Sequence, residues 1–512
     1  MKKIHLLNIL FTASLLIISC QEDLPSFNGF ESYTYSKEDK NGGEWKTTLI
    51  ASPNEIAIPV PGEVTSSTYQ AELEAAIKAN AEATEEQKEA VKYWTNNPGV
   101  RWNEIALELI AKYNLIPGPT SEDVYILPDP ANPDGPSKFP FAHPPYAVRA
   151  LAYLSTAQFD GLITAWHYKY LYNRPAASTL TQQMKTLYDA QNIPAYPSEG
   201  AVIAASALDV LKVMFPLEAD FLTEKYNDAI EALNVSGHYV NSDIQAGVTI
   251  GKAIAAKALA RASTDGMKSA QTPKPISDSI KQAAIDRFGW YWENLELPTR
   301  PVGLTPLYGK VKMWNVPNVI DVRPGPPPSI GTKELDDDIK KLEDIANSMT
   351  RERRAIANFW QDGLGTYTPP GHWNKIATDL IVANRLNPLR TARTFAYLNM
   401  AMMDGGIACW DAKYYYHYPR PIQLIPGFRT IAGTPNFPSY TSGHSVFSAA
   451  GAEILAYVFP EKATTLREWA LEAAVSRVYG GIHWSFDATV GTSQGINVAN
   501  YTLTKAKSDG AE

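Results

Sequence analysis

The sequence predicts an all-α fold made of two related helical bundles, with the chemistry in the second. Three observations lead there. Alternation of apolar and polar residues at the strand period is nearly absent. Segments with helix-favouring composition and helical apolar spacing follow one another along most of the chain. The chain also repeats itself at one fixed offset, 244 residues.

Taken in order, Gln70–Tyr93 is rich in Ala, Glu, Lys and Gln and reads as helix. A break at Pro98 and Gly99 precedes a helical stretch, Asn103–Tyr113. Pro117–Pro145 is a proline-rich loop. Tyr146–Tyr172 is a long amphipathic helix, followed by helices at 201–215, 219–233 and 243–262. Residues 300–330 read as loop and contain the proline-rich run Arg323–Pro328. Helices resume at 333–362, 375–385, 389–415, 443–458, 461–477 and 485–503.

The repeat aligns Arg149–Leu154 with Arg393–Leu398, Asp160 with Asp404, Trp166 with Trp410 and Lys169 with Lys413. It continues through Ser198 and Ser442, then through Asp243, Gly247 and Gly251 against Asp487, Gly491 and Gly495. One offset held over about a hundred residues points to duplication. The copies differ where chemistry would sit: His444 falls on Gly200, Arg477 on Leu233 and His483 on Tyr239, or on His238 with a one-residue slip. Arg174 and Pro175 echo Arg420 and Pro421 with a two-residue slip. The first copy is therefore expected to be a structural bundle that holds no oxyanion, with Lys169 ion-paired or reaching solvent. The domain reading is 1–20 signal segment, 21–135 tether and helical extension, 136–270 degenerate bundle, and 271–512 catalytic bundle.

The 512 residues carry 46 basic against 54 acidic side chains, a net charge of −8, which argues against nucleic-acid binding. An anion bound here must be held by a local cluster of cations. At the start, Lys2 and Lys3 precede the apolar run Leu6–Ile18, the pattern of a secretory signal. Leu16–Cys20 resembles a bacterial lipobox, which implies lipidation at Cys20 and anchoring to the cell envelope, expected at the outer membrane. Past Cys20 the one cysteine is Cys409, so no intrachain disulfide is expected.

Three segments near the C-terminus carry the chemistry: Lys413 with Arg420; Ser442, Gly443 and His444; and Arg477, His483 and Asp487. Each alone is a weak signal, but together they fix many identities in one order. A tetrahedral oxyanion presents several charged oxygens. Lys413 offers a point charge, and Arg420 and Arg477 offer planar forks of donors. Gly443 lets a backbone N–H approach the anion, Ser442 adds a hydroxyl, and both sit where a loop enters a helix, a natural anion site. Asp487 lies one helical turn past His483 and can orient its imidazole. A lone histidine is ordinarily structural, and His167 and His417 are read so. His444 and His483, flanked by glycine and arginine, are not.

These segments resemble the signature of the acid phosphatase–vanadium haloperoxidase superfamily, with Thr441 where that family usually has proline before Ser-Gly-His. Arg323–Pro328, Phe359–Gly363 and Pro369–Trp373 are also similar to segments of its soluble haloperoxidase-like members, which pair two helical bundles in one chain. The resemblance implies His483 as vanadium ligand, or as attacking nucleophile in a phosphatase. It implies His444 as acid–base, and Lys413, Arg420, Ser442, Gly443 and Arg477 as the oxygen-binding set. Phe437, seven residues before His444, matches the chloroperoxidase pattern, and Trp410, three before Lys413, resembles the haloperoxidase pattern; both are expected to line a substrate pocket. The reading is a haloperoxidase with vanadate as cofactor and halide and peroxide as substrates. The alternative is a cofactor-free acid phosphatase acting on phosphate esters through a phosphohistidine. A lipoprotein that merely binds anions would not need the two histidines.

Overall fold

A computed structural model describes residues 33–114, 142–189, 191, 193–295 and 302–512. The signal segment with Cys20 and most of the proline-rich loop 117–145 lie outside the described residues. Within them the chain is all α, with short 3-10 turns and no strand. The helices are α1 Ser67–Ala81, α2 Glu85–Thr95, α3 Pro98–Tyr113, α4 Pro144–Tyr172, α5 Ala177–Leu180, α6 Glu199–Met214, α7 Ala219–Val235, α8 Asn241–Ala262 and α9 Lys274–Phe288. They continue with α10 Lys333–Asn347, α11 Arg351–Phe359, α12 Thr368–Ala383, α13 Pro388–Tyr416, α14 Pro421–Leu424, α15 Gly443–Val458, α16 Ala463–Tyr479 and α17 Ser485–Ala506.

Local chemistry explains where these differ from the sequence reading. The helix expected over 70–93 is two helices, because Thr84 caps a new one: its Oγ accepts from Gln87 N at 3.1 Å while Gln87 Oε1 accepts from Thr84 N at 2.9 Å. The segment 333–362 divides in the same way at Thr350, which caps α11 through Arg353 N at 3.1 Å. Pro98 does not break a helix but opens α3, since a proline in the first turn forfeits no intrahelical bond. Helix α9 was not expected at all.

Helices α4, α6, α7 and α8 pack together, as do α13, α15, α16 and α17, and α4 lies along α13. Corresponding helices begin 244 residues apart and match in length: 29 residues for α4 and α13, 16 for α6 and α15, 17 for α7 and α16, 22 for α8 and α17. Their tie points match too. Arg149 and Tyr153 bond Asp265 at 2.7 and 3.0 Å, and Arg393 and Tyr397 bond Asp509 at 2.7 and 2.9 Å. Between α4 and α13, Asn399 Nδ2 donates to Ser155 Oγ at 3.5 Å. In both groups a glycine lets two helices touch backbone to backbone: a Cβ on Gly251 would lie 2.6 Å from Val202 O, and one on Gly495 2.5 Å from Val446 O.

Helices α1–α3 cover the first group; Tyr69, Leu73 and Ala76 pack against Ala177, Met184 and Val240. The irregular stretch before α1, expected to be a loose tether, is bonded to both groups where it is described. Asp39 forms a forked ion pair with Arg390 at 2.6 Å, and Thr48 N and Leu49 N donate to Asp160 at 2.8 and 2.5 Å. Among the described residues no helix is long and apolar enough to cross a membrane.

Candidate active site

The residues of the predicted oxyanion site converge at one end of the second group. Lys413 stands in the last turn of α13, and Arg420 caps α14. Gly443 and His444 open α15 behind Ser442. Arg477 ends α16, and His483 and Asp487 flank the start of α17. Lys413, Arg420, Ser442, His483 and Asp487 are buried, as is Arg477.

His483 is held by the carboxylate four residues on: Nδ1 lies 2.8 Å from Asp487 Oδ2. The same oxygen accepts from Ser439 Oγ at 2.5 Å and Trp484 N at 3.2 Å. Three donors on one oxygen place the imidazole proton on Nδ1 and leave Nε2 with a free lone pair. Ser442 ties the next loop to this corner: its N–H donates to Asp487 O at 3.1 Å, and its Oγ caps α15 by accepting from Ser445 N at 3.4 Å. As the first residue of α15, Gly443 presents one of the N–H groups that a helix cannot pair internally. A Cβ there would meet only ordinary contacts, Trp410 and Phe447 at 3.8 Å, so the protein itself does not demand glycine.

The cations are braced by backbone carbonyls. Lys413 Nζ donates to Pro438 O at 2.9 Å, Ser439 O at 2.8 Å and Thr441 O at 2.5 Å, so it shapes the loop before Ser442 as well as charging it. Thr441, in place of the family's proline, is fixed by this contact and by its own bond to Gln494 Oε1 at 2.6 Å. Arg420 donates to Ile482 O at 2.6 Å and Phe437 O at 3.0 Å, and Arg477 to Ala357 O at 2.5 Å.

Burial dominates the electrostatics. It lowers Arg420 to about 10, against the pull of Asp487, and lowers Arg477 to about 10 against the pull of Asp362. It pushes the Lys413 ammonium down and the Asp487 carboxyl up. Desolvation and then Arg420 and Lys413 hold His483 well below the usual histidine range; desolvation and then Arg477 do the same to His444. Three buried cations thus gather around Asp487 and, on the Arg477 side, Asp362, an arrangement that rewards a multiply charged anion.

One wall is aromatic. Trp410 and Phe437 pack with ring centroids 4.9 Å apart, and Lys413 Nζ and the Arg420 guanidinium lie 5.1 and 5.3 Å from the Phe437 ring. At the rim, His444 Nε2 lies 3.3 Å from Gln361 O. Beside it His372 stacks on Trp360 at 4.5 Å and pairs through Nδ1 with Asp362 at 3.0 Å. Sequence reasoning missed Ser439, Gln361, Asp362, His372 and Gln494. The runs Phe359–Gly363 and Pro369–Trp373 had drawn notice, but nothing in them assigned a role.

The helices thus bring two arginines, a lysine and two histidines together in one buried corner. Residues 394–508 match the PAP2 superfamily, and the chain matches the acid phosphatases and vanadium haloperoxidases within it. It is 34% identical over 116 residues to a non-specific acid phosphatase of Salmonella typhi, covering 22% of this chain and 46% of that protein. It is 21% identical over 221 residues to the vanadium chloroperoxidase of Curvularia inaequalis, covering 25% of this chain and 36% of that protein. The chain thus spans less than half the length of these curated relatives. The fold is shared with a crystal structure described as the first bacterial vanadium-dependent iodoperoxidase, at a TM-score of 0.57 and 23% identity over 71% of this chain and 91% of that one. A bacterial vanadium-dependent chloroperoxidase gives 0.51 and 13%, over 74% and 96%.

Proposed function

We propose that the protein is a vanadium-dependent haloperoxidase, oxidising halide with hydrogen peroxide. The carrying observation is the aromatic wall of Trp410 and Phe437 set directly over the buried cations Lys413 and Arg420. It makes an oxyanion pocket with an apolar, water-poor side, suited to a weakly hydrated halide. The donor set fits vanadate: His483 Nε2 would hold the vanadium, and Arg420, Arg477, Ser442, the Gly443 N–H and the Lys413 charge would hold its oxygens. Bound vanadate supplies the activation of peroxide. The protein keeps His483 in one tautomer through Asp487, and offers His444 at the rim to give and take a proton.

A second reading has its own support in the 34% identity over 116 residues to a non-specific acid phosphatase. There His483 Nε2 attacks phosphorus, the alcohol leaves with a proton from His444, and water then cleaves the phosphohistidine. The deciding experiment is a pair of assays on one preparation: halide oxidation with vanadate and peroxide for each halide, and phosphomonoester hydrolysis without vanadate. Hydrolysis alone would overturn the haloperoxidase reading.

The same reading includes lipid anchoring through Cys20 at the cell envelope and a division at 136–270 and 271–512 between a degenerate and a catalytic bundle of common origin. Matched helix lengths and the paired Arg–Tyr–Asp ties support the last point.

A further inference from the structure

The first group of helices repeats the surroundings of the second group's site in register, and the residue that takes the place of Gly443 is a carboxylate. Glu199 opens α6 as Gly443 opens α15. The surroundings correspond closely. Ser198 caps α6 through Ala201 N at 3.4 Å, as Ser442 does through Ser445 N. Ser198 N donates to Asp243 O at 2.9 Å, as Ser442 N does to Asp487 O. Lys169 Nζ donates to Pro194 O at 2.6 Å, as Lys413 does to Pro438 O. Arg174, 4% exposed, stands 3.5 Å from Asp243, and its Nε and Nη1 make no hydrogen bond among the described residues.

Lys169 is fully buried, and its Nζ lies 2.8 Å from Glu199 Oε2. It is therefore ion-paired and does not reach solvent. Burial raises the Glu199 carboxyl, but Lys169 and then His238 outweigh it and keep the group below the usual carboxylate range. A buried ammonium at a helix N-terminus needs an anion. Here the chain supplies one covalently.

We infer that Glu199 is an internal stand-in for an oxyanion, and that the first group holds a latent site for a small inorganic oxyanion, closed by this one side chain. The comparison rests on the reading of the second pocket as an oxyanion site. Removing Glu199 leaves the buried Lys169 ammonium and the capped helix end facing a space of about the size of the side chain lost.

The test uses the full chain and inorganic phosphate, read by equilibrium dialysis and thermal unfolding. Arg477→Leu, which copies Leu233 of the first group, silences the second pocket. In that background Glu199→Ala should gain one bound phosphate per chain. Its Tm should rise by at least about 3 °C at phosphate ~100-fold above the dissociation constant. Lys169→Met/Glu199→Leu, which removes both charges together, should fold and show neither effect. The inference is overturned if Glu199→Ala gains no phosphate, if it fails to fold with and without phosphate, or if the doubly neutral variant gains phosphate equally. Wild-type protein that binds no phosphate at all would instead overturn the reading of the second pocket, since the gain at Glu199 is scored independently of it.

Discussion

Replacing Asp487 tests whether the orientation of His483 or the mere presence of its partner sets oxyanion affinity. Three donors meet on Asp487 Oδ2: His483 Nδ1 at 2.8 Å, Ser439 Oγ at 2.5 Å and Trp484 N at 3.2 Å. Oδ1 has no hydrogen-bond partner among the described residues. An asparagine at 487 would therefore turn its carbonyl oxygen to the three donors and its amide to the other side, leaving the imidazole tautomer unchanged. Only the charge is lost. An alanine loses the acceptor as well, freeing His483 to rotate or to carry its proton on Nε2, where it would block the ligand position. Loss of a partner of this kind costs about 10–100-fold in affinity or activity, or about 1.4–2.7 kcal/mol. Asp487→Ala should fall at the upper end and Asp487→Asn near the lower. Vanadate dissociation constants from equilibrium dialysis measure both. Alanine with unchanged affinity would refute the role of the pair, and asparagine as damaging as alanine would refute the tautomer argument.

Four further outcomes follow from the geometry. His444→Ala should bind vanadate nearly as well as the wild type yet lose about 10²–10⁴-fold in turnover, seen as a fall in kcat at constant cofactor occupancy. Gly443→Ala should fold with stability changed by less than about 0.5 kcal/mol, because its Cβ meets only contacts at 3.8 Å, but should weaken oxyanion binding, since the methyl faces the anion. Gly495→Ala should do the reverse, costing about 1–3 kcal/mol in denaturant unfolding because its Cβ would lie 2.5 Å from Val446 O. Desolvation and then Arg477 hold His444 well below its ordinary value. A bound anion offsets that repulsion and raises it, so binding takes up a proton: affinity should climb by up to about tenfold per unit as pH falls between the two values, and His444→Ala should flatten that slope.

The residues that gather at the candidate site were legible because they stand at particular helix ends, and that pattern survives in the linear order of Lys413, Arg420, Ser442, Gly443, His444, Arg477 and His483. The helices were legible from period and composition, and the 244-residue offset gave their pairing. What stayed hidden depended on contacts between segments distant in sequence. Ser439 is one serine among many until the fold sets it against Asp487, 48 residues on. Gln361 matters through its backbone oxygen, which no side-chain identity reveals. Glu199 as the internal partner of Lys169 is hidden for a related reason: it falls on the position of Gly443, and only the fold brings the two side chains to 2.8 Å.

The hydrogen bond from Asn399 to Ser155 has one more implication. The two residues stand 244 positions apart, so equivalent places on α4 and α13 touch each other. Contact between equivalent positions marks a local twofold axis, the geometry of an isologous interface between two identical subunits. In a dimer such an interface forms and dissolves with concentration. In this chain both groups of helices are covalently joined, so the face that α4 offers to α13 is present at any dilution, and the candidate site at the end of the second group keeps that support without any association step.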